Sequence, residues 1–250
     1  MKIVFLDAST MGDTPLKDIE ALGELTCYAT STPEEALARV HDCNVLIINK
    51  VRVTAELMDA APSLKLICEA ATGVNNIDLA AAAARKIPIR NVAGYSTDSV
   101  VQATFMHSLS LAGNATYFDS AVKGGAYSAG PICTGVSRPF CGISGKTMGI
   151  IGLGNIGSKV AAVATAFGMK VVYYSTSGTS HSKDYPSLPL DEVMRTADVI
   201  SVHAPYNERT AGLIGERELR LMKPTAFIVN MGRGGIIDEA ALAEAIDNDL

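Results

Sequence analysis

The sequence predicts an α/β protein built from two doubly wound parallel sheets. Short apolar runs rich in β-formers alternate with helical stretches along nearly the whole chain. The alternation breaks once, between Lys123 and Lys146, and then restarts. No internal similarity recurs at solenoid periods, which excludes a repeat architecture.

In the first part, strands are expected at Lys2–Leu6, Glu24–Tyr28, Cys43–Ile48, Leu64–Glu69 and Ile87–Val92. Between them, Pro33-Glu34-Glu35 opens a helix after Ser31 and Thr32, with proline and acids in its first turn. Asp78 is placed to cap an alanine-rich helix that runs to Arg85. Five strands with crossover helices make a small doubly wound sheet. Thr97 to Ala112 reads as a long helix with Val100, Val101, Thr104, Phe105, Ser108 and Leu111 near one face. Lys123 to Lys146 then holds six glycines and two prolines without periodicity, the composition of a functional loop or of a join between modules.

The second part has strands at Met148–Gly152, Lys170–Ser175, Val199–His203 and Ala226–Asn230. Its helices are Ile156–Phe167, Leu190–Thr196, Glu216–Met222 and Glu239–Asp247. Only four strands precede Leu250, where such a sheet usually has about six, so this domain reads as incomplete at its C-terminal end. The expected organisation is one domain over 1–97, a connecting helix and long loop over 98–146, and a second domain over 147–250.

Composition narrows the classes. With 48% hydrophobic and 19% charged residues in 250, the chain can bury a core and is not disordered. Twenty-one basic against 26 acidic residues give a net charge of −5. Without a basic tract, neither nucleic acid nor an anionic membrane surface is an expected partner. The longest apolar tract, Leu79–Ala84, is far too short to cross a bilayer. Met1 to Asp7 reads as a strand ending in an acid rather than as a signal peptide, so a cytoplasmic protein is expected. Cys27, Cys43, Cys68, Cys133 and Cys141 are scattered and never form C-x-x-C, which points to incidental thiols and no metal site.

The sharpest motif is Gly152-Leu153-Gly154-Asn155-Ile156-Gly157. Alone, G-x-G-x-x-G is weak; after an apolar strand and at the head of a helix it is the dinucleotide-binding fingerprint. Gly152 permits the tight turn, Gly154 lets backbone approach a pyrophosphate, and Gly157 lets helix and strand pack closely. The free N–H groups of the helix N-terminus then face the phosphates. The next strand ends in Tyr173-Tyr174-Ser175-Thr176-Ser177-Gly178, without the acid that takes ribose hydroxyls in NAD sites. Ser175 can bond a ribose but cannot repel a 2′-phosphate; Lys183 and His181 are the nearest basic residues along the chain. Local chemistry equally allows a polar strand end without selectivity.

Two further stretches are open on local chemistry alone. Asn230-Met231-Gly232-Arg233-Gly234-Gly235 follows a strand, and Arg233 either reaches a substrate carboxylate with its fork or lies in a surface turn. Ala71-Thr72-Gly73-Val74-Asn75-Asn76 is either an anion cradle of backbone N–H groups or a plain loop.

Together these stretches resemble the D-isomer-specific 2-hydroxyacid dehydrogenase family. The matching segments are Thr72–Asp78, Asn91–Ser96, Gly145–Gly154, His203–Thr210 and Asn230–Gly234, in the family's order over nearly the whole chain. The resemblance implies a flavodoxin-like substrate domain, a Rossmann dinucleotide-binding domain, and an active site in the cleft between them. It implies hydride transfer between NAD or NADP and C2 of a small 2-oxo or 2-hydroxy acid, with D specificity, in a homodimer.

By the same resemblance, Arg233 holds the substrate carboxylate and polarises its carbonyl, and Gly73 and Val74 hold the carboxylate by backbone. Gly152, Gly154, Asn155, Ile156 and Gly157 form the pyrophosphate turn, and Ser175 stands at the ribose. Ala204 and Pro205 run along the cofactor, and Met231 and Gly232 lie by the nicotinamide. The family's general-acid histidine and its partner glutamate match nothing here; they are expected downstream of the stretch matching Asp247–Leu250. The 250 residues taken alone are therefore expected to turn over slowly. His203 matches a cofactor-side position, His107 lies on the long helix, and His41 and His181 fall in surface segments. Two alternatives are a non-catalytic dinucleotide-binding sensor of the same fold, and formate oxidation, whose extra residues are not recognised here.

Overall fold

The computed structural model describes residues 1–130, 138–179 and 182–248. It contains two compact units, Met1–Tyr95 and Ser96–Leu250.

The first unit runs β1 (Lys2–Phe5), a short 3-10 turn (Ala8–Met11), α1 (Lys17–Glu20), β2 (Glu24–Cys27), α2 (Pro33–Arg39) and β3 (Val45–Ile48). It continues with α3 (Ala55–Asp59), β4 (Leu66–Glu69), α4 (Leu79–Ala84) and β5 (Ile89–Asn91). The strands pair in parallel in the order β2-β1-β3-β4-β5, the flavodoxin-like arrangement. One face packs Leu6, Leu46, Ile48, Ile67 and Leu57; Ile3, Phe5 and Ile47 fill the other. Burial on both faces explains why these strands read as continuous apolar runs. The expected strands overran at their ends: Leu6 and Tyr28 continue the apolar run but lie outside the strands. Thr32 and Glu35 form a capping box at the head of α2, and the Asp78 carboxylate accepts the Ala81 N–H at 2.8 Å to cap α4.

The second unit contains α5 (Thr97–Ala112), α6 (Ala115–Lys123), β6 (Thr147–Ile151), α7 (Asn155–Ala166), β7 (Lys170–Tyr174) and α8 (Leu190–Thr196). It ends with β8 (Val199–Val202), α9 (Glu216–Leu219), β9 (Phe227–Asn230) and α10 (Glu239–Asp247). Its parallel sheet has the order β7-β6-β8-β9. A lone parallel bridge joins Tyr173 of β7 to Ser187, which lies outside the strands. Counting that segment, the order is 3-2-1-4-5, as in dinucleotide-binding sheets.

Helix α5 packs on α7, with Phe105 stacked on Phe167 at 5.4 Å between centroids, and Val101 and Phe105 enter this unit's core. Leu111, expected on the same face, is exposed, and Ala112 is buried in its place. Helix α6 occupies residues that sequence periodicity left unassigned just before the long loop; residues 131–137 of that loop, Cys133 among them, lie outside the described residues. The other four cysteines are free thiols. Among the described residues no helix is long and apolar enough to cross a membrane.

Candidate functional site

In a parallel sheet, ligands gather at the carboxyl ends of the strands. The expected residues of the second unit lie there. Beyond β6, Gly152 has φ +94°, a conformation that favours glycine, and a Cβ on it would stand 3.1 Å from the Ala204 nitrogen. A Cβ on Gly157 would stand 2.2 Å from the Gly152 carbonyl oxygen, so α7 and the turn pack without room for a side chain. Gly154 differs: a Cβ there would meet nothing within 4 Å. No side chain caps α7, and among the described residues no acceptor takes the N–H of Asn155 or Ile156. An open cradle lined by unbonded donors at a helix N-terminus fits a dinucleotide pyrophosphate.

Beyond β7, three hydroxyls cluster. Ser175 Oγ lies 3.1 Å from Ser177 Oγ and donates to the Thr179 carbonyl at 2.5 Å; Ser177 Oγ lies 3.2 Å from Thr179 Oγ1. Arg209 Nη1 donates to the Ser177 carbonyl at 3.4 Å. Thirty-two residues separate Arg209 from Ser177 along the chain, so no local spacing in the sequence signals the contact. Arg209 arrives from the loop after β8, and β8 and β7 flank β6. Lys183 is exposed and His181 lies outside the described residues.

Beyond β8, the backbone of buried Ala204 is wedged between two glycines: a Cβ on Gly232 would stand 2.8 Å from the Ala204 oxygen. Buried Thr210 ties the loop, donating from Oγ1 to the Pro205 carbonyl at 2.6 Å and accepting the Asn207 N–H at 2.9 Å. His203 Nε2 lies 2.7 Å from Ser201 Oγ, while its Nδ1 is buried without a partner among the described residues. Burial pushes the His203 imidazole down to about 4, so it is neutral at neutral pH and is no ready proton donor. His41 and His107 are exposed.

Beyond β9, the Asn230 amide staples the turn: its Nδ2 donates to the Arg233 carbonyl and its Oδ1 accepts the Gly232 N–H, both at 3.0 Å. The Met231 N–H bonds the Val202 carbonyl. Arg233 is exposed; its Nη1 donates to the adjacent Gly232 carbonyl, and among the described residues no carboxylate pairs with it. A fixed turn carrying an unpaired guanidinium suits an incoming carboxylate.

In the first unit the loop after β4 is tied from both sides. Asn91 Nδ2 donates to the Thr72 carbonyl at 2.7 Å, and Thr72 Oγ1 donates to the Val92 carbonyl at 3.0 Å. Asn76 Nδ2 lies 2.9 Å from Glu69 Oε2, 3.1 Å from the Val51 carbonyl oxygen and 3.5 Å from that of Asn49. Among the described residues no acceptor takes the N–H of Gly73 or Val74, leaving two adjacent donors for an anion. Glu69 and Asp7 beneath the loop are both buried and were not singled out from sequence. Burial pushes the Glu69 carboxyl up to about 7, opposed by the Asn76 hydrogen bond; the Asp7 carboxylate adds to the rise and Lys50 opposes it.

Comparison with known proteins gives a family model that matches residues 105–250, described as the NAD binding domain of D-isomer specific 2-hydroxyacid dehydrogenase. The glycerate dehydrogenase of Methylorubrum extorquens is 33% identical over 98% of this chain and 76% of its own length. The hydroxypyruvate reductase of Blautia hydrogenotrophica is 31% identical over 99% of this chain and 79% of its own. Among solved structures, an acyclic imino acid reductase in complex with NADPH and D-Arg superposes with a TM-score of 0.89 at 29% identity, covering 100% of this chain and 80% of that one. The D-lactate dehydrogenase of Aquifex aeolicus, complexed with NAD and lactic acid, gives 0.88 at 27%, covering 99% and 74%.

Proposed function

The chain belongs to the D-isomer specific 2-hydroxyacid dehydrogenase family, and from that premise we propose that it transfers a hydride between NAD(P)H and C2 of a small 2-oxo or 2-hydroxy acid of the D series, with Arg233 as the carboxylate-binding residue. The observation that carries the assignment is the turn stapled by Asn230, which holds an unpaired guanidinium at the same sheet edge as the glycine cradle.

Bound dinucleotide supplies or accepts the hydride; the chain's own groups bind, orient and stabilise. Gly154, Asn155 and Ile156 receive the pyrophosphate, with Gly152 and Gly157 fixing the turn. Ala204, Pro205, Met231 and Gly232 form the backbone along the cofactor. Gly73 and Val74 offer two N–H donors to the substrate carboxylate. Reduction at C2 leaves negative charge on the oxygen. Arg233 stabilises that charge but cannot give up a proton at neutral pH, and neutral His203 does not supply one, so water delivers the proton that completes the alcohol. The relatives named above are dehydrogenases and reductases, so a non-catalytic sensor has no support among them. In this reading residues 1–97 bind substrate and 147–250 bind dinucleotide. Family membership also favours a cytoplasmic homodimer, for which sedimentation equilibrium is the test.

The test of the activity is oxidation of NAD(P)H that depends on added pyruvate, glyoxylate or hydroxypyruvate. A protein that binds dinucleotide but neither binds nor reduces any 2-oxo acid defeats the proposal. Cofactor selectivity follows from the hydroxyl cluster. With no carboxylate at Ser175, and with Arg209 beside Ser177, the site accepts NADPH as well as NADH. Ser175→Asp sets a like charge against the 2′-phosphate and shifts preference toward NADH by at least about tenfold, or 1.4 kcal/mol. Arg209→Ala weakens NADPH more than NADH. Fluorescence titration with both nucleotides reads these changes; a wild-type protein already strongly selective for NADH contradicts them.

A further inference from the structure

Beneath the Gly73–Asn76 loop lies a buried polar network that the proposed chemistry does not use. Glu69, the last residue of β4, is 1% exposed and Asp7, just past β1, is 4% exposed. Asp7 is well satisfied: its carboxylate accepts the N–H groups of Asn49, Lys50 and Val51 at 2.5–3.2 Å. Glu69 is not. Its Oε2 takes one hydrogen bond, from Asn76, and its Oε1 is buried without a partner among the described residues. Asn49 Oδ1, an acceptor in the segment Asn76 also contacts, is buried and unpartnered too.

Asn76 links the two halves. Its side chain reaches Glu69 and the carbonyls of Asn49 and Val51, and its own carbonyl accepts the Val53 N–H at 2.8 Å. Ile77, one residue on, bridges Val53 and donates to the Val74 carbonyl at 3.1 Å. The conformation that leaves the N–H groups of Gly73 and Val74 free is therefore held from below by Asn76, and Asn76 is held by Glu69.

We propose that Glu69 is a positioning residue for the substrate-binding loop and that it works in its protonated form. A neutral carboxyl accepts from Asn76 through Oε2 and puts no uncompensated charge on the buried, unpartnered Oε1. An ionised one would be a buried charge with a single donor and the Asp7 carboxylate near it, a poorly compensated arrangement. The charged groups acting on it are Asp7 beyond β1 and Lys50 beyond β3, one opposing ionisation and one favouring it. With the carboxyl titrating near 7, protons leave within the physiological range. The proposal rests on the substrate-loop reading above.

The test compares wild type with Glu69→Gln, which imitates the protonated acid, between pH 6 and 8. Dissociation constants for oxamate with NADH present, and for NADH alone, are measured together with amide exchange at Val53, whose N–H bonds the Asn76 carbonyl, and at Ile77, corrected for its intrinsic pH dependence. Wild type should lose at least about threefold in oxamate affinity across this range, about half of the 1.4 kcal/mol that a tenfold step represents, with NADH affinity level. Exchange at Val53 and Ile77 should quicken in parallel. Glu69→Gln should fold, bind oxamate as wild type does at pH 6, and show neither trend. A variant that keeps the wild-type trend overturns the proposal, as does a Gln variant that does not fold. If neither protein binds oxamate at any pH, the substrate-loop reading has failed. Amide exchange then decides the Glu69 claim by itself: a pH trend in wild type that the Gln variant lacks upholds it, and identical traces overturn it.

Discussion

Arg233→Ala is expected to lower kcat/KM for every 2-oxo acid by about a hundredfold or more while leaving dinucleotide affinity within about threefold. Each charge-assisted hydrogen bond lost is worth roughly 1.5–3 kcal/mol, and a guanidinium fork on a carboxylate makes two. Two such bonds correspond to roughly 10²–10⁴ in rate, and under the proposed role of Arg233 the loss falls on the transition state, where charge develops on the substrate oxygen. Folding should be untouched: Arg233 is exposed and its one side-chain hydrogen bond goes to the neighbouring Gly232 carbonyl. Lysine should rescue only part of the loss, because an ammonium cannot reproduce the planar fork. Where turnover is too slow to follow, oxamate affinity in the presence of NADH reads the same contact. An alanine variant with near-normal kcat/KM and oxamate affinity would reduce Arg233 to a turn residue.

The residues legible in the sequence are those whose chemistry is local. Ile3–Phe5, Leu46–Ile48 and Ile150–Ile151 announce strands because a parallel sheet covered on both faces makes them uniformly apolar. Thr32, Glu35 and Asp78 announce helix starts because a cap acts within three residues. The turn at Gly152–Gly157 is legible because three glycines answer three steric demands in six residues. Helices α1 and α3, with four and five residues, show no period of their own, whereas α9, also four residues, is legible within the longer stretch Glu216–Met222. The segment at Ser187 takes the third-strand place through one bridge, and Tyr185-Pro186-Ser187-Leu188 carries no β run.

What the sequence withheld is long-range. Arg209 meets Ser177 across 32 residues, and Asp7 meets Lys50 across 43. No spacing rule connects them; only the strand order does. A signal for Glu69 was nonetheless present. An acid that closes the apolar run Leu66-Ile67-Cys68 stands where the strand leaves the core, so its carboxyl must be exposed, paired or protonated. The same holds for Asp7 after Ile3–Leu6. Both acids tie down loops at the carboxyl ends of strands, one through backbone N–H groups and the other through Asn76.

The glycine turn separates binding from folding, and a pair of alanine substitutions should show it. Gly157→Ala places a methyl 2.2 Å from the Gly152 carbonyl oxygen, a backbone atom that cannot rotate away. Helix α7 must then move off the turn. Overpacking of this kind costs roughly 1–3 kcal/mol, occasionally more. In a unit of this size that is a fall in Tm of about 2–12 °C. The displaced helix takes its N–H groups away from the pyrophosphate, so dinucleotide affinity should fall by at least about a hundredfold, or 2.7 kcal/mol. Gly154→Ala should behave differently. Gly154 has φ −84° and ψ −158°, which alanine adopts without strain, and its Cβ meets nothing within 4 Å. Its Tm should stay within about 2 °C of wild type, an effect below about 1 kcal/mol. The methyl nevertheless stands in the cradle where the pyrophosphate must approach backbone, so affinity should again drop by at least about tenfold. Thermal unfolding and NADH titration on both variants separate the roles. A Gly154→Ala protein that binds NADH as wild type does would remove the cradle from the cofactor site. A Gly157→Ala protein with unchanged Tm would show that α7 can yield to the methyl without loss.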